Sequence, residues 1–225
     1  SDLTIKIWYV NTGEVAYNIA GNAEIHDIVW SPDGQFIASV SDDSIIKLWT
    51  QNGNLVDYFE ILHINCLAWS PNSQLLALCS DISPSIVLYN IQSKTIEKTL
   101  ERHNNNVYSI AWSYDSQIIA SGHEDGTIQL WDVLTGGQKH ILQGHTNIVN
   151  KVSFSTDNRF FASKSWDKTV RLWHCDTGMA VAIIEELVSG PPYPPALSFD
   201  PKASMLATLG GETKVIRFWD LDFDS

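Results

Sequence analysis

The sequence predicts an all-β fold in which short four-stranded antiparallel sheets repeat along the chain and stack on one another. Three observations carry this. A tetrapeptide ending in an aromatic residue recurs six times: IKIW to Trp8, IKLW to Trp49, IVLY to Tyr89, IQLW to Trp131, VRLW to Trp173 and IRFW to Trp219. The intervals are 41, 40, 42, 42 and 46 residues, a period at which each repeat is one supersecondary unit that buries its apolar face only against its neighbours. Two further series of apolar segments run in phase with the first, and turn-forming residues fill the gaps.

The elements can be justified in chain order. A first strand is predicted in HDIVWSPDG, NCLAWSPNS, YSIAWSYDS, NKVSFSTDN and PALSFDPKA, which carry Trp30, Trp69, Trp112, Phe154 and Phe199. A second follows in FIASVSDD, LLALCSD, IIASGHEDG, FFASKSWD and MLATLGGE. The third is the tetrapeptide series. All are short, apolar or alternating, and bounded by turn residues, which marks strands. A fourth series, EVAYNI, LVDYFE, TIEKTL, QKHILQ and AVAIIE, is more variable and suits an outer, half-exposed edge. Ser31-Pro32-Asp33-Gly34 turns the first strand into the second. Asp43-Ser44, Asp125-Gly126 and Asp167-Lys168 turn the second into the third. Asn52-Gly53, Gly136-Gly137 and Thr177-Gly178 turn the third into the fourth. These residue types tolerate tight or left-handed backbone.

The repeat resembles the WD-repeat family of β-propellers. The segment GHTNIVNKVSFSTDNRFFASKSWDKTVRLWH (144–174) carries nearly every landmark of that family, and the repeat ending IQLWD at Asp132 is close to it. The resemblance covers essentially the whole chain. It implies one propeller domain over 1–225: a partial blade at 1–20, blades at 21–60, 61–102, 103–143 and 144–186, and an incomplete blade at 187–225. That is about five and a half repeats, and an open end would leave a blade face and sheet edges unprotected, whereas propellers close on complete blades. The expectation is therefore a six- or seven-bladed parent. The alternative is a self-closed ring in which the strand around Glu14–Ile19 completes the last sheet.

The family resemblance also implies a buried tetrad in each blade: a His before the first strand, a Ser or Thr in the second, an Asp in the following turn and the Trp of the third. Two repeats match: His103, Ser121, Asp125 and Trp131, and His145, Ser163, Asp167 and Trp173. The spacings are 18, 4 and 6 in both. The residue types suit a satisfied network, in which carboxylate, imidazole, hydroxyl and indole N–H each find a partner. Other repeats are degenerate. Gly21 stands at the His position before Ser39, Asp43 and Trp49. Glu60, Cys79 and Tyr89 replace His, Ser and Trp in the next. Gly190 precedes Thr208, Glu212 and Trp219. Ser, His and Asp also make up hydrolase triads, but a set that recurs in two blades, with an indole on the hydroxyl and no nucleophile elbow, reads as structural. No catalytic residue and no cofactor is assigned.

In WD-repeat propellers one end, the top face, often receives partners. The positions that feed it lie three and five residues after the tetrad His and one before the tetrad Asp. Here these are Glu24, His26 and Asp42; His63 and Asn65; Asn106, Tyr108 and Glu124; Ile148, Asn150 and Trp166; and Tyr193 and Pro195 in the last repeat. Trp166 is singled out because a Trp at a solvent-facing turn has no evident core role. With Tyr108, Ile148 and Tyr193 it would make an apolar centre inside a polar rim, the composition of an interface hot spot.

Composition sets further limits. The 225 residues include nine Trp, which a fold with one recurring Trp slot would use. Fourteen Lys and Arg face 26 Asp and Glu, a formal net charge of −12. Phosphate backbones and anionic membranes are repelled by such a field, and nucleic-acid binders show a basic footprint instead. Three cysteines without a CxxC pair argue for separate thiols in a reducing, cytoplasmic compartment, with Cys66 and Cys79 as buried small hydrophobes. His26 and His63 share a face but lack a third ligand, so no metal is expected. No small-molecule substrate is evident. The expectation is a non-enzymatic scaffold that binds protein or peptide partners by its top face. The alternatives are a sensor or recognition domain of a larger regulatory protein, and, more remotely, an enzyme using the central channel.

Overall fold

Alternating apolar residues, broken by Ser-x-Asp and Asp-Gly turns, build 21 short strands in the computed structural model. It describes residues 3–21, 23–61, 63–80, 85–101, 105–186, 196–200, 205–209 and 215–221. No helix occurs among them. Blade one is a pair, β1 (Thr4–Trp8) with β2 (Val15–Ala20). Blade two is β3 (Ile25–Trp30), β4 (Phe36–Ser41), β5 (Ile45–Thr50) and β6 (Leu55–Glu60). Blade three is β7 (Ile64–Trp69), β8 (Leu75–Ser80), β9 (Ser85–Asn90) and β10 (Thr95–Glu101). Blade four is β11 (Val107–Trp112), β12 (Ile118–His123), β13 (Ile128–Asp132) and β14 (Gln138–Leu142). Blade five is β15 (Val149–Phe154), β16 (Phe160–Ser165), β17 (Thr169–His174) and β18 (Ala180–Glu185). Blade six shows β19 (Leu197–Phe199), β20 (Met205–Leu209) and β21 (Ile216–Asp220). Every sheet is an antiparallel meander in chain order. β2 pairs with β1 and the described edge of blade six is β21, so the self-closed pairing is not the one found.

The apolar side chains lie between blades. Five buried clusters fill the five successive interfaces. Ile5 and Ile19 meet Ile37 and Trp49; Val40, Ile46 and Leu48 meet Leu67, Trp69 and Leu76. Further along, Ala77, Ile86 and Leu88 meet Ile110, Ile119 and Trp131, and Ile128 and Leu130 meet Val152, Phe161 and Trp173. Phe160, Val170 and Leu172 then meet Leu197, Phe199 and Leu206. One sheet has two apolar faces and cannot cover both alone, which is why the repeat exists only as a stack.

Polar contacts reinforce the stacking at each end. The Trp69 indole donates to the Val29 carbonyl at 3.2 Å and the Trp112 indole to Ala68 at 3.0 Å, one blade back in each case. In the first-to-second-strand turns, Ser31, Ser70, Ser113 and Ser155 each donate to the Asp or Asn two residues on. A residue of the next blade then finishes the turn. Ser73 accepts from the Asp33 amide at 3.0 Å, Ser116 from Asn72 at 3.2 Å, and Asn158 from Tyr114 at 2.6 Å. The finishing residues have φ near 60°, the left-handed region in which Gly34 stands in blade two.

The structure departs from two expectations. Register places Leu78, not Cys79, at the hydroxyl slot of blade three, because Leu76 faces Tyr89 as Phe161 faces Trp173. The turn before Tyr89 carries one extra residue, which shifts any count made backwards from the tyrosine. Cys79 lies opposite Cys66, with Cα atoms 5.3 Å apart, and the two are joined as a disulfide rather than standing as separate thiols. Cys175 is free and buried, and burial pushes its thiol up to about 12.

Candidate functional site

In blade five, four side chains form one chain of hydrogen bonds. The Trp173 indole donates to Ser163 Oγ at 2.8 Å. Ser163 Oγ lies 2.7 Å from His145 Nε2, and His145 Nδ1 lies 2.8 Å from Asp167 Oδ2. Asp167 also accepts from the Thr146 amide, the Thr169 amide and the Thr169 hydroxyl. With Asp167 ionised, the proton belongs on Nδ1, so Nε2 accepts from the serine and the serine oxygen accepts from the indole. Burial holds His145 below its ordinary value, against the pull of the Asp167 hydrogen bond and charge. Burial pushes Asp167 up, but the hydrogen bonds from Thr169, His145 and Thr146 outweigh it and leave the carboxyl low. The neutral imidazole and ionised carboxylate are thus the stable pair. The serine hydroxyl is engaged on both sides and buried, so it lacks the exposure of a nucleophile.

In blade four, among the described residues, a different histidine lies at the serine. The Trp131 indole donates to Ser121 Oγ at 3.0 Å, but the imidazole at that oxygen is His123, with Nε2 at 2.8 Å. His123 is two residues along β12 and so shares the face of Ser121. His103 lies outside the described residues. Asp125 accepts from the Asn105 side-chain amide at 2.7 Å and from the Thr127 amide and hydroxyl. Burial drives His123 down to about 4, against a hydrogen bond to the Asn105 backbone and the charge of Asp125. In blade two the Trp49 indole donates to Ser39 at 2.9 Å, and in blade six Trp219 donates to Thr208 at 3.1 Å. In blade three the Tyr89 hydroxyl instead donates to Asp57 Oδ2 of the preceding blade at 2.5 Å, with its ring stacked on Phe59.

The top-face residues are gathered by two recurring backbone devices. The first is a bulge. Ile25, Ile64, Val107 and Val149 pair with the ends of their second strands, then one residue is skipped before pairing resumes. The skipped residues are His26, Asn65, Tyr108 and Asn150. A bulge re-aims its side chain away from the ladder, and in blades two, four and five the bulge residue, His26, Tyr108 or Asn150, is exposed or half-buried. The second device is a hydrogen bond across the turn. The Asp42 amide donates to the Glu24 carbonyl at 2.9 Å, Glu124 to Asn106 at 3.1 Å and Trp166 to Ile148 at 3.0 Å. Each turn residue is thereby held beside the entry to the first strand of its own blade.

Side chains add a further bond at two of these turns. His26 Nε2 bonds Asp42 Oδ1, and the Asn106 amide donates to Glu124 Oε2 at 3.1 Å. In blade five the pair is apolar: Ile148 is half-buried and Trp166 is 46% exposed. Glu24 and His63 are exposed, while Tyr108 and Asn150 are half-buried. Tyr193 and Pro195 lie outside the described residues. Among the described residues no group of three or more His, Cys, Asp or Glu is placed to hold a metal ion. No helix among them is long and apolar enough to cross a membrane.

The family described as the IFT122 first beta-propeller matches residues 1–224. Among curated proteins, the chain is 29% identical over 141 residues to WD repeat-containing protein AAC3 of Dictyostelium discoideum, covering 59% of this chain and 29% of that protein. It is 31% identical over 145 residues to small ribosomal subunit protein RACK1 of Drosophila melanogaster, covering 59% and 45%. It is 29% identical over 143 residues to a chromatin assembly factor 1 subunit of Gallus gallus, covering 60% and 22%. The match thus spans less than half the length of each of these relatives. Its phased tetrapeptides, its stacked four-stranded sheets and the match along its length agree: the chain belongs to the IFT122 first β-propeller family, a WD-repeat propeller.

Proposed function

We propose that this propeller is a non-enzymatic platform that binds protein or peptide partners on the face where the first-strand bulges and the second-to-third-strand turns converge. The observation that carries it is the exposed Trp166, held by its own amide on the Ile148 carbonyl beside the Asn150 bulge. A large aromatic fixed at a turn, with no core to fill, offers buried area at low entropic cost. His26, Asp42, His63, Asn106, Glu124, Asn150 and Glu24 supply the polar surround, and Tyr108 adds a second aromatic. The relatives fit the reading: their names place one in a ribosomal subunit and another in a chromatin assembly factor, both multi-component assemblies. The same names favour an intracellular setting. The net charge of −12 favours protein partners over nucleic acid or anionic membranes.

The experiment is an affinity measurement with the partner identified by cross-linking through a photoreactive group at position 166. Trp166→Ala should weaken that complex by a factor of ten or more, the ordinary size of an aromatic hot-spot loss of about 1.4 kcal/mol or more. Its melting temperature should stay unchanged. Full affinity in a folded Trp166→Ala protein would remove the top-face assignment.

A further inference from the structure

The outer rim of the propeller carries a second surface, distinct from the top face. Among the described residues, blades one to five each end in an edge strand whose outer side pairs with no further strand, and such edges are normally guarded by charge. Three successive slots of these strands can be compared by register. In β2 they hold Ala16, Tyr17 and Asn18; in β6, Val56, Asp57 and Tyr58. In β10 they hold Glu97, Lys98 and Thr99; in β14, Lys139, His140 and Ile141. In β18 they hold Val181, Ala182 and Ile183. Among the described edge strands only β18 has an aliphatic residue in all three.

In blades two, three and four the middle slot does a job. Asp57 accepts from Tyr89 of the next blade, Lys98 donates to the Val133 and Leu134 carbonyls, and His140 lies 3.0 Å from the Asp176 carbonyl. Blade five has no such group at this slot. Ala182 and Ile184 turn inward onto blade six, while Val181 and Ile183 are 48% and 55% exposed. From Ala180 to Ile184 the strand has no charge and no polar side chain. Among the described residues its outer edge pairs with no further strand.

We infer that β18 is a strand-addition site, which takes an extended segment of a partner protein as a fifth, antiparallel strand of blade five. Main-chain hydrogen bonds would supply the affinity, and alternate β-branched side chains lying over Val181 and Ile183 the selectivity. Charge favours a basic partner segment. Glu185, exposed at the end of β18, stands opposite the first residue of an antiparallel strand, and the protein's net charge of −12 opposes a second copy of itself.

The test uses the capped, fluorescein-labelled hexapeptide Lys-Thr-Ile-Thr-Val-Thr, which places Lys opposite Glu185 and Ile and Val opposite Ile183 and Val181. Saturable anisotropy with the whole protein is expected. Ile183→Lys should weaken it tenfold or more, while Trp166→Ala leaves it unchanged. Ile183 is exposed, so the Lys variant should keep its melting temperature. Should it not, a peptide N-methylated at alternate residues tests the same hydrogen bonds on the wild-type protein and should not bind. Equal binding of the methylated peptide, the absence of saturable binding, or a titration weakened only by Trp166→Ala would each overturn the inference. So would a wild-type dimer in sedimentation that Ile183→Lys dissolves, because the occupant would then be a second copy.

Discussion

Ser163 is the joint of the blade-five network, and replacing it with Ala tests the whole arrangement. The hydroxyl accepts from the Trp173 indole at 2.8 Å and donates to His145 Nε2 at 2.7 Å. Removing it strands one buried donor and one buried acceptor. Trp173 is 2% exposed and the His145 side chain is buried, so water cannot reach either atom. Each stranded group costs ~1–3 kcal/mol, so Ser163→Ala should cost about 4 kcal/mol. Equilibrium urea unfolding at unchanged slope reads this directly, with a midpoint lower by ~1–2 M for a slope near the upper end of the usual range. A double-mutant cycle sharpens the test. Trp173→Phe removes the donor that Ser163→Ala strands, so the double variant should be more stable than the sum of the singles predicts, by about 1–3 kcal/mol. A loss under about 1 kcal/mol for Ser163→Ala, or strict additivity in the cycle, would refute the network as a source of stability.

Two further predictions follow from the same geometry. His123 sits near 4 in the folded protein because of burial, and at its ordinary 6.5 when unfolded. The unfolded chain therefore binds the extra proton first as pH falls. The stabilisation is complete above about pH 6.5 and is lost toward pH 4 at about 1.4 kcal/mol per pH unit. Unfolding free energies from urea titrations at about pH 7 and about pH 5 should differ by about 2 kcal/mol more in wild type than in His123→Gln, and an equal difference would exclude His123 as the sensor. Gly122 lies against the next blade, where an added Cβ would come within 2.6 Å of Val149 Cγ1 and 2.8 Å of its carbonyl oxygen. Gly122→Ala should cost about 1–3 kcal/mol through overpacking, seen as a melting temperature lower by a few degrees to about 10 °C; an unchanged melt would show that the interface yields freely.

The fold is legible because its information is periodic. Alternation, turn chemistry and a fixed indole slot each repeat, so an error at one blade is outvoted by the others. The failures fall where one blade departs from the rest. Counting back from Tyr89 to the hydroxyl slot of blade three crosses a lengthened turn and lands on Cys79; counting forward from Trp69, nine residues as from Trp112 to Ser121, reaches Leu78. His123 is legible too, since i and i+2 share a strand face, but the family pattern looks for an imidazole before the first strand and passes over it. The opposition of Cys66 and Cys79 follows from the same hairpin register. Of the top-face residues, the sequence offers positions and not the means. The bulges and the cross-turn hydrogen bonds that aim those side chains leave no residue signature, because they are made by main-chain atoms.

The turn-finishing contacts between blades carry a consequence for synthesis. The Asp33 amide waits for Ser73, Asn72 for Ser116 and Tyr114 for Asn158, partners 40 to 44 residues downstream. At ribosomal rates of about 5–20 residues per second, a newly emerged blade stays unlatched at its lower loop for ~2–9 s. Throughout that interval the leading blade is a nascent surface whose last donor is satisfied only by water, and each repeat acts as the closing clasp for the one translated before it.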